Sequence, residues 1–209
     1  MPKKVKQGTV VSDKMEKTIV VKVAEHKPHK KYKKIMQVTV TAILAALICV
    51  ATMIVQIPIP ATGGYANLGD GIILISSFLL PVGCSITAAA LGSALADLLL
   101  GYVAFIPGTL MIKAFMAFLS WLVLHSFHQI ETDRKAICAM IFSGIASEVF
   151  MVIAYFGYEA VIMGTGLGAA AGIPGNIGQG ICGIIVSCIL TPALSRIRVF
   201  GRRVEELRK

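Results

Sequence analysis

Apolar residues in this chain come in runs longer than a globular core needs, and the breaks between the runs are made by Pro, Gly and charge. Those breaks predict six helices, at about 35–57, 70–81, 83–100, 109–127, 136–158 and 177–195. Most have close to the roughly 20 residues that cross a hydrocarbon core about 30 Å thick. The second is short. It runs from Gly71 to Leu80 before Pro81 and Gly83, so it either borrows Leu68 to Asp70 or is a tilted, incomplete span. Before residue 35 the period changes: Thr9 to Val11 and Thr18 to Val23 are β-branched runs around a polar turn, the pattern of a hairpin.

Charge follows the same division. Of the twenty Lys and Arg residues only Lys113, Arg134 and Lys135 lie between Ile35 and Ser195; the others crowd the first 34 residues and the last 14. A charge at the centre of a bilayer costs about 2.5 kcal/mol or more, so this exile, with a mean hydropathy of +0.79 and 56% hydrophobic residues, reads as an all-α membrane protein. The +9 net charge is first a topology signal and only second a hint of nucleic acid. Lys30 to Lys34, Arg134-Lys135 and Arg196 to Lys209 fall on one side of a six-transmembrane-helix bundle, and the positive-inside rule makes that side cytoplasmic. The topology is then N-in, C-in, with outer loops 58–69, 101–108 and 159–176 that hold no Lys or Arg.

Thirty-four mostly polar residues precede the first span and no small-residue cleavage pattern follows it, so that helix is expected to be retained as a signal anchor. Cys49, Cys84, Cys138, Cys182 and Cys188 are scattered through apolar segments without C-x-x-C spacing, and are read as small buried side chains rather than metal ligands or disulfides.

The ionisable residues inside the apolar region, apart from the cytoplasmic loop, are Asp70, Asp97, Lys113, Glu148 and Glu159. At a rise of about 1.5 Å per residue, Asp97 and Lys113 lie near the outer ends of the third and fourth helices, Asp70 opens the second on that side, and Glu148 lies ~15 Å below the outer end of the fifth. A carboxylate so deep needs a partner, and Lys113 is the cation within reach. With Asn67, Asn176 and Gln179, these groups converge in the outer half of the bundle, as a binding pocket open to the outside requires. The plain alternative is that they only hold helices together, but glue has no reason to favour one half or to sit beside Gly-rich loops. Those loops, Ala61 to Gly69 and Gly164 to Gly178, permit close approach to a ligand and the flexibility of a lid. Tyr65, Tyr102 and Phe105 add aromatic faces at the same level, a place where interfacial Tyr is also common. Small residues form close-packing faces at Ala42, Ala45, Ala46 and Cys49 on the first helix and at Ala88, Gly92 and Ala96 on the third, for packing within the bundle or for docking a second membrane protein.

Three ordered motifs, Gly64-Tyr65-Ala66-Asn67-Leu68-Gly69-Asp70, then Leu91-Gly92-Ser93-Ala94-Leu95-Ala96-Asp97-Leu98-Leu99-Leu100-Gly101-Tyr102, then Pro107-Gly108-Thr109-Leu110-Met111-Ile112-Lys113, resemble the substrate-binding S components of energy-coupling factor (ECF) vitamin importers over about residues 35–200. The branch is the one with riboflavin-, pyridoxine- and hydroxymethylpyrimidine-type members. The resemblance implies a six-helix bundle in the bacterial cytoplasmic membrane, with a vitamin or vitamin precursor bound near the outer face by Asn67, Asp70, Asp97, Lys113, Asn176 and Gln179. Tyr65, Phe105 and Glu148 complete the candidate set. It also implies that Ala42, Ala45 and Ala46 meet a transmembrane T component served by two ATPase subunits, and it implies no cofactor or metal.

The leader carries a second resemblance. Val10-Val11-Ser12-Asp13-Lys14-Met15-Glu16-Lys17-Thr18-Ile19-Val20-Val21 is similar to the first hairpin of bacterial small-subunit ribosomal protein seventeen, an RNA-binding protein, over about residues 5–34, without the remaining strands of that barrel. It is read either as a basic arm or as a fused or misassigned leader without a folded role. The expected organisation is thus a leader at 1–34, a transmembrane substrate-binding domain at 35–200 and a basic tail at 201–209.

Rival classes fit less well. An intramembrane serine protease needs a His after its Ser, yet His26, His29, His125 and His128 all precede residue 129; the chain has no G-x-x-x-x-G-K-[ST] loop to drive transport by its own ATPase. An autonomous carrier using Glu148 as a proton site is the remaining alternative.

Overall fold

The structure is a computed structural model, and residues 9–15, 18–22, 30–60, 62–127 and 133–195 are described. The chain divides into two compact units between Met36 and Gln37. In the first, β1 (Thr9–Met15) and β2 (Thr18–Lys22) pair antiparallel, with Thr9 opposite Lys22 and Val10 opposite Val21, and the register shifts on either side of Ser12.

The remaining elements run α1 (Lys30–Ile54), β3 (Gln56–Ile59), β4 (Gly64–Asn67), α2 (Gly69–Leu79), α3 (Val82–Leu100), α4 (Ile106–Ser126), α5 (Asp133–Gly157) and α6 (Ile173–Ser195). Of these described helices, all but α2 are long and apolar enough to cross a membrane. At 11 residues α2 is about 16 Å long, half the hydrocarbon core.

Helix starts differ from the sequence expectation where Pro was taken as a break. Pro107 lies in the first turn of α4, and Pro174 likewise follows the first residue of α6, positions where the missing N–H breaks no intrahelical bond, so both helices begin three or four residues early. Pro81 acts the other way: it forces Leu80 into an extended conformation (ψ 156°), which ends α2 and lets α3 start at Val82. Gly101, at φ 83°, ends α3 in a Schellman arrangement, with Gly101 N–H donating to the Leu98 carbonyl and Tyr102 N–H to that of Asp97. The outer loop expected at 58–69 is in large part a hairpin: β3 and β4 pair antiparallel with Ile57 opposite Ala66 and Ile59 opposite Gly64, around a turn in which Gly63 takes φ 68°.

The membrane helices are apolar all round, and their outward faces hold Leu91, Leu95 and Leu98 on α3, Met111, Phe115 and Leu122 on α4, and Ile177, Ile181, Ile185 and Ile189 on α6. In water these would be a liability; in lipid they are the solvated surface. The interior is knit by Ile48, Ile73, Met116 and Met151, none exposed. Lipid tails compete for apolar contacts, so close approach and interhelical hydrogen bonds do the joining. Buried hydroxyls supply the latter: Ser85 Oγ lies 3.1 Å from Ser76 Oγ and 3.0 Å from Ser77 Oγ, and Ser120 Oγ 2.7 Å from Ser143 Oγ.

Small residues let the backbones meet. A Cβ on Gly92 would stand 2.5 Å from the Ala45 carbonyl oxygen and 2.9 Å from Ile48, and a Cβ on Gly71 would stand 2.9 Å from Val186. The Ala88, Gly92 and Ala96 face of α3 is accordingly buried. Gly92→Val should therefore destabilise the bundle by about 1–3 kcal/mol, read as a lowered unfolding midpoint in detergent. Gly83→Ala, where an added methyl meets nothing within 4 Å, should leave it in place.

Candidate functional site

Asp70 lies in the first turn of α2, where the helix dipole favours a carboxylate. It is fully buried, and both its oxygens are held: Lys113 Nζ donates to Oδ1 at 2.5 Å and Gln179 Nε2 to Oδ2 at 2.5 Å. Gln179 Oε1 in turn accepts the backbone N–H of Asn67 at 2.8 Å, and Asn67 Oδ1 accepts that of Gly69 at 2.9 Å. A single carboxylate thus joins α2, α4 and α6 and, through Gln179, β4. The ammonium of Lys113 also lies 5.5 Å from the centroid of the Tyr155 ring.

This corrects the pairing expected from sequence, in which Lys113 served Glu148. Depth counting placed Asp70 at the rim, but the whole of α2 is enclosed and Asp70 is the carboxylate that meets the lysine. Glu148 is buried, with no hydrogen-bond partner for either carboxyl oxygen among the described residues. It packs where α6 has no side chains: a Cβ on Gly180 would stand 3.0 Å from the Glu148 Cβ, and one on Gly183 would stand 3.1 Å from Glu148 Oε1 and 3.2 Å from the Asp70 Cβ.

Above the pair opens a narrow cleft, with a cavity volume of about 30 Å³, that widens into open solvent. Its walls come from β3 and β4 (Ile59, Gly64, Tyr65, Asn67), from α3 and the turn after it (Ser93, Asp97, Phe105), and from α4 and α5 (Thr109, Lys113, Tyr155). Thr52, Glu159, Asn176 and Gln179 complete the lining. Tyr65 donates its hydroxyl to Asp97 Oδ1 at 2.6 Å. Burial, with the Asp97 carboxylate behind it, holds the Tyr65 phenol well above its ordinary range, so it stays a donor. Rings continue along the mouth, with centroids 4.6 Å apart for Tyr65 and Tyr102, 6.3 Å for Tyr102 and Phe105, and 6.4 Å for Phe105 and Tyr158. Tyr158 lies across Gly108, where a Cβ would stand 2.7 Å from its ring, and donates its hydroxyl to the Ala104 carbonyl. Three lining atoms, Ser93 Oγ, Asp97 Oδ2 and Glu159 Oε2, are buried without a hydrogen-bond partner among the described residues.

Of the nine candidates chosen from sequence, Tyr65, Asn67, Asp97, Phe105, Lys113, Asn176 and Gln179 line the cleft. Asp70 and Glu148 do not; they stand beneath it, one with its oxygens already bonded and the other against the glycines of α6. Sequence reasoning noted Glu159 among the converging groups without carrying it into the candidate set, and missed Thr52, Ile59, Gly64, Ser93, Thr109 and Tyr155 as lining residues. Helical spacing holds the signal for three of them: Ser93 is one turn before Asp97, Thr109 one turn before Lys113, and Tyr155 two turns after Glu148. On α1, Ala42 and Ala46 are exposed, whereas Ala45 is half-buried with its carbonyl facing Gly92, so Ala45 belongs to packing within the bundle.

A helical membrane bundle with a polar cleft at one end is an architecture suited to binding a small molecule. The family described as "ECF-type riboflavin transporter, S component" matches residues 32–196, and the chain belongs to it. It is a multi-pass membrane protein and the substrate-binding subunit of an ECF transporter, not an enzyme. A solved structure described as "Structure and mechanism of the S component of a bacterial ECF transporter" shares the fold, with a TM-score of 0.59 and 19% identity over 78% of this chain and 96% of that one. A protein of Pyrococcus woesei, "Uncharacterized protein in gap 3'region", is 33% identical over 139 residues, 66% of this chain and 88% of its own. Residues 8–43 match the ribosomal protein S17 family.

The arrangement makes Asp70 and Lys113 a unit. Asp70→Asn and Lys113→Met should each destabilise by about 3–5 kcal/mol, because each leaves a buried charge unpaired, and the double variant should lose much less than the sum. Denaturant unfolding in micelles measures this. A larger coupling for Glu148 with Lys113 than for Asp70 with Lys113 would restore the pairing expected from sequence.

Proposed function

We propose that the chain binds one vitamin or vitamin precursor with a planar ring, of riboflavin-, pyridoxine- or hydroxymethylpyrimidine-like chemistry, in this cleft at the outer face of a six-helix, N-in, C-in bundle. The observation that carries the reading is that Ser93 Oγ, Asp97 Oδ2 and Glu159 Oε2 are buried without a hydrogen-bond partner among the described residues, beside the rings of Tyr65, Tyr102 and Phe105. Buried polar groups without partners are costly unless something fills them. Rings at stacking distance suit a flat heterocycle. Tyr65, Asn67, Asp97, Phe105, Lys113, Asn176 and Gln179 contact or orient the ligand, and Asp70 and Glu148 support them from below. Bound ligand is then released inward by assembly with a transmembrane T component and two ATPase subunits. The exposed Ala42 and Ala46 face of α1 is the docking surface, since small residues allow a second helix to come close.

Purified protein prepared without added vitamin, examined by native mass spectrometry and then titrated with riboflavin and pyridoxine, tests the binding. Asp97→Ala should weaken it by about 1–3 kcal/mol, the effect of leaving the ligand's donor and Tyr65 unsatisfied. Unchanged affinity would remove Asp97 from the site. Uptake into proteoliposomes by the lone protein along a proton gradient would replace this reading with the carrier. A variant with Ala42→Leu and Ala46→Leu should keep ligand affinity and lose uptake by the assembled complex; lost affinity would instead assign the face to internal packing.

A further inference from the structure

We propose that the cleft selects against negative charge: its substrate is an uncharged or cationic heterocycle that donates at least two hydrogen bonds, and phosphorylated forms of the same molecule are refused. This deepens the preceding reading and rests on it. Among the described residues the ionisable side chains in the lining, tyrosines apart, are Asp97, Lys113 and Glu159, so a single ammonium faces two carboxyl groups. That ammonium is engaged. It sits on Asp70 at 2.5 Å with 2% of Lys113 and none of Asp70 exposed, and the Tyr155 ring flanks it. A phosphate that recruited Lys113 would strip Asp70 of its counter-ion in a sealed interior, beside the buried carboxyl of Glu148.

The backbone offers little in exchange. Helix N-termini bind anions through free N–H groups, but Pro107 and Pro174 remove one donor each from the first turns of α4 and α6. At the start of α2, Gly69 N–H is taken by Asn67 Oδ1, and the Asn67 N–H by Gln179. What the cleft holds out is the opposite: the second oxygens of Asp97 and Glu159, both lining residues, are buried without a hydrogen-bond partner among the described residues.

The test compares a vitamin with its own phosphate ester, because the pair shares a ring and differs in charge. Ligand-free protein in nanodiscs is titrated with riboflavin and riboflavin 5′-phosphate, then with pyridoxine and pyridoxine 5′-phosphate, and with thiamine and thiamine monophosphate. In whichever pair binds, the ester should be weaker by at least about 100-fold. Asp97→Asn and Glu159→Gln, which keep shape and remove charge, should each narrow that ratio, by weakening the parent and by sparing the ester. An ester that binds as tightly as its parent would overturn the inference and leave the binding function standing; no binding by either member of any pair would overturn both.

Discussion

Two opposite charges at 2.5 Å, sealed inside a bundle whose outside is hydrocarbon, are the constraint on which the rest of this structure depends. Neither can leave the other. Removing a carboxylate or an ammonium from water is expensive, and the mutual attraction offsets that only when the remaining lone pairs and protons also find partners. Asp70 meets the condition through Gln179, and Lys113 through the face of Tyr155. In a bilayer, apolar faces alone do not choose one helix arrangement over another, since lipid solvates them equally well. A polar pair with one permitted geometry does choose. It fixes the depth of α2, the rotation of α4 and the placement of α6 in a single contact.

The cleft follows from what is left over. With Lys113 turned down toward Asp70, Thr109 one turn before it and Ser93 and Asp97 on α3 border a space that the hairpin β3–β4 and the turns after α3 and α5 enclose. The Schellman ending of α3 carries Tyr102 beside Tyr65, and Tyr65 fastens the hairpin to Asp97. The pocket's rigid floor and its mouth are therefore built differently. The floor rests on helices locked by a buried ion pair, and the mouth on short strands and turns held by a few side-chain bonds.

Hydropathy made the long helices legible, because a run of apolar residues in this composition has one plausible environment. Polar groups amid apolar runs, too costly to be idle, marked Asn67, Asp97, Lys113, Asn176 and Gln179 among the lining residues, and aromatic faces at the same level added Tyr65 and Phe105. What hydropathy could not show was direction. Whether Lys113 reaches toward Asp70 or Glu148 depends on how far the short α2 is enclosed, a property of its neighbours and not of Gly71 to Leu80. The hairpin was hidden because Pro58, Gly63 and Gly64 interrupt strands of only four residues, too short for a period to emerge. The uncharged lining residues Ser93, Thr109 and Tyr155 carry no charge to draw notice, though each shares a helix face with a residue that does. Ala45 read as part of a docking face for the opposite reason: a small residue looks the same whether its neighbour lies within the bundle or outside it.

The brevity of α2 has a consequence for how the chain is made. An eleven-residue segment opening on a carboxylate offers a membrane-inserting machinery little reason to keep it, being too short to span and charged where it would enter. Its counter-ion lies 43 residues downstream, beyond the whole of α3. Until α4 has been synthesised and delivered, α2 has no stable place in the bilayer, so the order of synthesis cannot be the order of settling. The second helix to leave the ribosome must wait for the fourth, which carries Lys113, and for the sixth, which carries Gln179, before both oxygens of Asp70 are held.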